Sequence, residues 1–129
     1  MDGGHKSLRV YQLAYELAME IFHLSKKFPV EERYSLTDQI RRSSRSVVAN
    51  IAEGYRKRQY SKMFVNKMSD ADGETAETQT WLDFSLDCGY ISKETHESLY
   101  SRYLSVGGML GRMIQDPAKF LPKGSQSQI

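Results

Sequence analysis

Cations are the residues of this chain best suited to chemistry. Between Ile40 and Lys67 stand Arg41, Arg42, Arg45, Arg56, Lys57, Arg58, Lys62 and Lys67, against the single acid Glu53. Guanidinium and ammonium groups bind phosphate oxygens and release condensed counterions, so such a cluster can hold a polynucleotide backbone without reading its bases. Arg41, Arg45, Arg56, Lys57, Arg58, Lys62 and Lys67 are the candidates for phosphate contact. Tyr55 and Tyr60 flank the Arg56-Lys57-Arg58 run and offer ring faces for stacking on bases. A structural reading competes. Six acids and no base lie between Asp70 and Asp87. Arg42, with a planar fork suited to carboxylates, has Glu74 and Glu77 as partners there, and Arg42 and Glu53 would then fix helix register.

The other reactive residues lack companions. Glu20 and His23 have the Glu-x-x-His spacing of one arm of a di-iron bundle site, which needs a second arm and two more glutamates. Three residues before His96 stands Lys93, so no second arm exists. Cys88 sits between Asp87 and Gly89 with no base to activate it, and reads as a packed structural cysteine. The pairs Asp70/Glu74 and Asp83/Asp87 have no Gly-rich phosphate loop or histidine-containing triad beside them and read as a solvated or cation-paired face. The expectation is a protein that is not an enzyme and carries no metal or cofactor.

These side chains need a scaffold, and the chain supplies helices. Its 129 residues suffice for one domain with a real core, and 40% hydrophobic with 26% charged residues is ordinary for a globular chain. Net charge is only +2; the switch from basic to acidic along the chain says more about partners than the sum does. No apolar run is long enough to cross a membrane, the first six residues lead into no signal-peptide core, and Cys88 has no disulfide partner. Together these predict a cytoplasmic protein with no membrane contact.

No proline falls between Val30 and Asp116, so long helices are permitted there. Apolar residues recur at three- and four-residue steps in four segments, about 10–27, 37–56, 62–87 and 93–115. Val10, Leu13, Ala14, Leu17, Ala18, Ile21, Leu24 and Phe28 face inward in the first. Leu36, Ile40, Ser44, Val47, Val48, Ile51 and Tyr55 do so in the second, with Ser43, Asn50 and Gly54 as a small-residue flank. Phe64, Met68, Ala71, Thr75, Thr78, Leu82 and Ser85 form an unbroken heptad seam in the third. Leu99, Tyr103, Val106, Leu110 and Met113 line the fourth. Ser35 or Thr37, Ser61 and Ser92 are candidate N-caps, and Gly89 a stop. Short links force antiparallel neighbours. The predicted architecture is an all-α, antiparallel up-down-up-down four-helix bundle over residues 1–116, followed by a polar, frayed tail over 117–129.

Two helices have apolar surface beyond one stripe. Met63, Trp81, Phe84 and Cys88 lie off the heptad seam of the third. Tyr100, Leu104, Gly107 and Gly111 make a second line on the fourth. Gly107, Gly108 and Gly111 each cost about 1 kcal/mol of helix propensity, which a close backbone approach would offset. Either they relieve crowding within the bundle or another subunit approaches there. Excess aromatic surface favours an interface, so Trp81, Phe84, Tyr100, Leu104, Gly107 and Gly111 are expected to contact a second copy.

Gln39-Ile40-Arg41-Arg42-Ser43, Ser46 and Asn50-Ile51-Ala52-Glu53-Gly54 resemble the signature of the 23S rRNA intervening-sequence proteins, a bacterial four-helix-bundle family. Leu8-Arg9-Val10-Tyr11-Gln12 is similar to that family's opening, and Phe28-Pro29 with Tyr34-Ser35-Leu36-Thr37 to its first turn. Ala71-Asp72-Gly73 and Cys88-Gly89-Tyr90-Ile91 are similar to its third helix and exit. Glu74 departs from the family's usual serine after that glycine. The resemblance implies structural roles for Gln39, Arg42, Asn50, Glu53 and Gly54, and a cytoplasmic bacterial protein assembled as a ring, a homopentamer. A related retroelement accessory protein with a similar five-fold barrel is regarded as a nucleic-acid binder, which implies RNA or another nucleic acid as partner. The expected function is a non-enzymatic, oligomeric adaptor for RNA; the alternative is a protein-interaction scaffold ring with no nucleic-acid role.

Overall fold

The computed structural model describes residues 4–122. Its long helices are α1 (Arg9–Ser25), α2 (Asp38–Arg56), α3 (Ser61–Asp87) and α4 (Lys93–Gln115), with short helical turns at Gly4–Ser7, Val30–Glu32, Arg33–Thr37 and Pro117–Phe120. The described residues contain no strand. Helix α1 packs on α2 and α4, α2 on α3, and α3 on α4, so each long helix has two long-helix neighbours.

The apolar periodicity explains the core. All seven seam residues of α3 are buried, as are the five stripe residues of α4. In α1 the buried apolar positions are Val10, Ala14, Leu17, Ala18 and Ile21, and Phe28 follows beyond its end. Three seam residues of α3 carry hydroxyls, which burial would penalise if left unbonded. Each donates to the carbonyl four residues back: Thr75 to Ala71 at 2.9 Å, Thr78 to Glu74 at 2.9 Å and Ser85 to Trp81 at 2.8 Å. Thr78 also lies 2.8 Å from the Ser43 hydroxyl of α2. Tyr103 is the exception: its side chain is wholly buried and its hydroxyl has no hydrogen-bond partner among the described residues.

Helix α2 approaches α3 closely at Gly54. A β-carbon there would stand 2.8 Å from Lys67 Cβ and from Met68 Cε, so the small flank is a contact surface, not a solvated face. Helix α3 ends at Gly89, whose φ of +79° L side chains avoid. Tyr90 N–H donates to Ser85 O and Gly89 N–H to Leu86 O, both at 2.9 Å, the paired bonds of a Schellman stop.

Several termini differ from the sequence expectation. Helix α1 ends at Ser25, and Lys26, Lys27 and Phe28 continue in three-residue turns, donating to His23, Leu24 and Ser25. Neither Ser35 nor Thr37 caps α2. The wide turn Arg33–Thr37 runs directly into it with Thr37 already helical, and the Ser35 hydroxyl bonds Glu32 Oε1 at 2.7 Å instead. Ser61 is the first residue of α3, preceded by Tyr60, which makes no side-chain cap. Ser92 does cap α4, accepting from Thr95 N–H at 3.0 Å. The tail expectation also needs correction: Pro117–Phe120 is a helical turn, and the Phe120 ring stacks on Phe64 at 5.8 Å. The remainder of that tail, 123–129, lies outside the described residues.

Candidate nucleic-acid interface

The cations sort by what their neighbours leave free. Arg42 sits opposite the acidic stretch of α3, with Nη2 at 3.1 Å from Glu74 Oε1 and 2.5 Å from Glu77 Oε2. Bonds to the two carboxylates raise its pKa further. Glu77 also accepts from the Trp81 indole N–H at 3.1 Å. Burial pushes the Glu77 carboxyl up, but the bonds from Arg42 and Trp81 outweigh it and leave the pKa below the ordinary 4.5. Glu74, the departure from the family's serine, thus supplies an ion pair between α2 and α3.

Lys67, a candidate phosphate ligand, is already paired: its Nζ lies 2.9 Å from Glu53 Oε1. Glu53 pairs with a lysine of α3, not with Arg42. Arg58 is engaged as well. It donates to Tyr55 O at 3.0 Å and its guanidinium covers the Tyr55 ring at 4.0 Å. Tyr55 therefore does not offer that face to a base, whereas Tyr60 is 54% exposed.

Arg56, Lys57 and Lys62 are exposed and belong to no ion pair among the described residues. They surround the tight link between α2 and α3, where Lys57 N–H donates to Gly54 O and Tyr60 N–H to Lys57 O. The C-terminal end of α2 carries partial negative charge that suits Arg56 and Lys57, but it does not exhaust them. Arg41 and Arg45 lie elsewhere on α2, against α1. Arg41 Nε donates to the Ser25 hydroxyl at 2.8 Å, and both guanidiniums lie over the Phe22 ring, at 5.1 and 5.6 Å. The predicted cation set thus divides into a corner (Arg56, Lys57, Lys62), a separate pair (Arg41, Arg45) and two members already engaged (Arg58, Lys67).

The motif residues do structural work. Asn50 donates to Ser46 O at 3.0 Å, within α2. Gly54 admits α3. Gln39 is exposed and borders a groove with Leu36, Trp81 and Phe84. Trp81 is half-buried, packing on Phe84 at 5.7 Å, and Phe84 is 52% exposed. On α4, Leu104 is 60% exposed and Tyr100 stacks on His96 at 5.2 Å. A β-carbon at Gly107 would meet only Asp72 Oδ1 at 3.7 Å, and one at Gly111 would meet nothing within 4 Å. These glycines relieve no crowding among the described residues.

Three further groups were misread or missed. Cys88 is exposed at the end of α3, where the sequence predicted a packed residue; it lies off the heptad seam, on a side of α3 that the bundle does not cover. Glu20 binds Arg102, which reaches Glu16 as well, at 2.5 and 3.1 Å, so the carboxylate of the Glu20-His23 spacing is drawn into an α1–α4 ion pair. His96 Nε2 lies 2.7 Å from Asp83 Oδ1, a contact that no short-range spacing could signal. No group of three potential metal ligands stands together among the described residues, and none of the described helices is long and apolar enough to cross a membrane.

Comparisons with known proteins carry the geometry into a family. The chain has no match among curated proteins. It is similar to a structure solved at 1.70 Å, a protein with unknown function from the S23 ribosomal protein family of Bacteroides thetaiotaomicron VPI-5482. The two are 31% identical, with a TM-score of 0.74, over 82% of this chain and 95% of that one. Residues 6–112 match the family described as 23S rRNA-intervening sequence protein. That match spans all of α1, α2 and α3 and most of α4, including the paired and unpaired cations alike, and the chain belongs to the 23S rRNA-intervening sequence protein family.

Proposed function

We propose that this protein is a non-enzymatic, oligomeric adaptor that binds RNA through the basic corner between α2 and α3. The observation that carries the reading is the state of Arg56, Lys57 and Lys62: three exposed cations at one turn, in no ion pair among the described residues, while Lys67 on α3 is paired with Glu53 and Arg42, further back on α2, with Glu74 and Glu77. Tyr60 adds an exposed ring beside them. The names of the family and of its solved relative, which speak of 23S rRNA and of a ribosomal protein, support RNA over DNA.

Assembly belongs to the same reading. Along α2 and α3, Arg42 meets Glu74 and Glu77 while Glu53 meets Lys67; one number rises as the other falls, which supports an antiparallel up-down-up-down bundle. Exposed Phe84 and Leu104, and glycines with open space before them, support a homo-oligomeric ring, five subunits by the family resemblance, acting in the bacterial cytoplasm. A ring repeats each basic corner, and weak phosphate contacts on one polymer then reinforce one another through effective concentration.

A mobility-shift titration with labelled RNA at low salt tests this. Wild-type protein is expected to retain RNA, with affinity falling steeply as salt rises. Replacing Arg56, Lys57 and Lys62 by alanine should weaken binding across all sequences alike. Absence of any shift at low salt defeats the proposal. The pairing of Arg42 and Lys67 favours a second reading, a scaffold ring indifferent to nucleic acid. That reading needs Arg41 and Arg45 neutralised too, and among the described residues no carboxylate pairs with either. Light scattering together with the 260/280 nm absorbance ratio separates the two: a multimer free of co-purifying nucleic acid belongs to the scaffold.

A further inference from the structure

Around Phe22, at the end of α1, three cations converge. Lys26 Nζ lies 4.7 Å from the ring centroid, and the Arg41 and Arg45 guanidiniums 5.1 and 5.6 Å from it. No two of the three are more than about 11 Å apart, near a Debye length at moderate salt, so they repel one another. A phenyl ring has two faces, so at least two of these cations share one, and phenylalanine is not the strongest of the aromatic partners. The C-terminal end of α1 contributes about half a negative charge against three positive ones. The carboxylates nearby do not close the gap. Glu16 and Glu20 of α1 hold Arg102, Glu53 of α2 holds Lys67, and Asp38, one turn before Arg41, pairs with none of the three among the described residues.

One member is held in place. Arg41 is half-buried, and its Nε donates to Ser25 Oγ at 2.8 Å. Ser25 is itself buried and lies 3.1 Å from the Phe22 carbonyl oxygen. Tethering through Nε leaves both terminal nitrogens of the guanidinium without a hydrogen-bond partner among the described residues. Those two nitrogens form the fork that matches two oxygens of one anion. A fixed guanidinium with an unused fork, flanked by two more cations and no counter-charge, is suited to bind an oxyanion.

We propose that Lys26, Arg41 and Arg45, gathered around Phe22, form an oxyanion site that takes a phosphate group. Neither Lys26 nor Phe22 belongs to the basic corner, and the site lies on the α1–α2 side of the bundle. The phosphate is either a backbone phosphate of RNA or a free phosphate ion. The first source rests on the RNA reading above; the site itself does not.

Two probes separate the sources: an oligouridine of about twelve nucleotides and inorganic phosphate, each added to the full-length 15N-labelled protein at low salt. The Arg41 side-chain Nε–H resonance is expected to move with phosphate and not with chloride of equal ionic strength. K26Q/R41Q/R45Q should bind the oligonucleotide more than tenfold more weakly, with a salt slope shallower by about 0.7, the share of one single-strand phosphate. K93Q should bind as wild type does. S25A keeps all three charges but releases Arg41; it should weaken binding about threefold and serves if the triple variant fails to fold. Oligonucleotide binding that weakens in K26Q/R41Q/R45Q, or in S25A, together with an Arg41 resonance moved by the oligonucleotide, supports the site with a backbone phosphate as its source. Oligonucleotide binding unchanged in K26Q/R41Q/R45Q, or in S25A if only that variant folds, with a still resonance, overturns the site and leaves RNA binding to the α2–α3 corner. A resonance moved by phosphate in a protein that ignores oligouridine keeps the site and removes the RNA reading. Silence with both probes removes both.

Discussion

Tyr103 carries the largest wholly buried side chain in the core and the least satisfied. Burial pushes its hydroxyl pKa well above the ordinary phenol value, and that hydroxyl finds no partner among the described residues. An unpaired buried hydroxyl forfeits its hydration without recompense. Tyr103→Phe removes only the oxygen, so denaturant unfolding is expected to show a gain of about 1 kcal/mol; a loss instead would mean that a buried water bonds the oxygen. The cations teach the complementary lesson. Sequence nominated seven phosphate ligands by type and spacing, but Lys67 and Arg58 proved engaged, and nothing local distinguishes Lys67 from Lys62. Whether a lysine is neutralised depends on how α2 is rotated against α3, a property of two helices and not of one stretch of sequence. Arg42 was legible because its partners Glu74 and Glu77 are the acids of a long one-signed run, so that many rotations would have found one.

At the scale of elements, the close approach at Gly54 sets the α2–α3 separation. Gly54→Ala would place a methyl 2.8 Å from Lys67 Cβ and Met68 Cε. The methionine tip can swing aside; the lysine β-carbon is fixed to its backbone. The helices must part or tilt, which costs about 1–3 kcal/mol of overpacking, more than alanine's gain in helix propensity of about 1 kcal/mol returns. Thermal unfolding should therefore shift downward, and an unchanged midpoint would show that α3 slides freely along α2. The helices themselves were plain in the sequence, since seam positions such as Met68, Thr75 and Leu82 repeat over many turns and each turn confirms the last. The caps were not. Ser35, Thr37, Ser61 and Ser92 are all chemically able to cap, yet only Ser92 does, because capping depends on the backbone entering the helix extended. Thr37 enters already helical, at φ −60° and ψ −49°, delivered by the wide turn before it, and no side-chain signal announces that turn.

For the whole molecule, charge and apolar surface make separate predictions. Arg102 holds the Glu20 carboxyl below the ordinary 4.5, and Glu32, bonded by Ser35 and Tyr90, is lowered as well. Glu77 is lowered too, its bonds from Arg42 and Trp81 overriding the upward push of burial. Carboxyls depressed in the folded state add stability that is complete above their unfolded pKa and disappears as pH falls through the folded values. The denaturation midpoint should accordingly fall as pH drops below about 4.5, and R102Q should flatten that fall; solvent screening of these largely exposed pairs keeps the effect small. The proposed assembly rests on apolar surface. The groove at Trp81 and Phe84 lies between α2 and α3, while Leu104 and Gly111 lie on α4, so a contact joining the groove to α4 would be heterologous. Heterologous contacts close into rings when the rotation permits, whereas one patch meeting its own copy stops at a dimer. Phe84→Glu spoils the groove and leaves α4 intact; Leu104→Glu does the reverse. Light scattering should find each variant monomeric alone. Mixed, the intact α4 face of the first can seat in the intact groove of the second, and with no further good face available growth must stop at a pair. A mixture that stays monomeric, or single variants that still form the full assembly, would place the subunit contact elsewhere on the bundle.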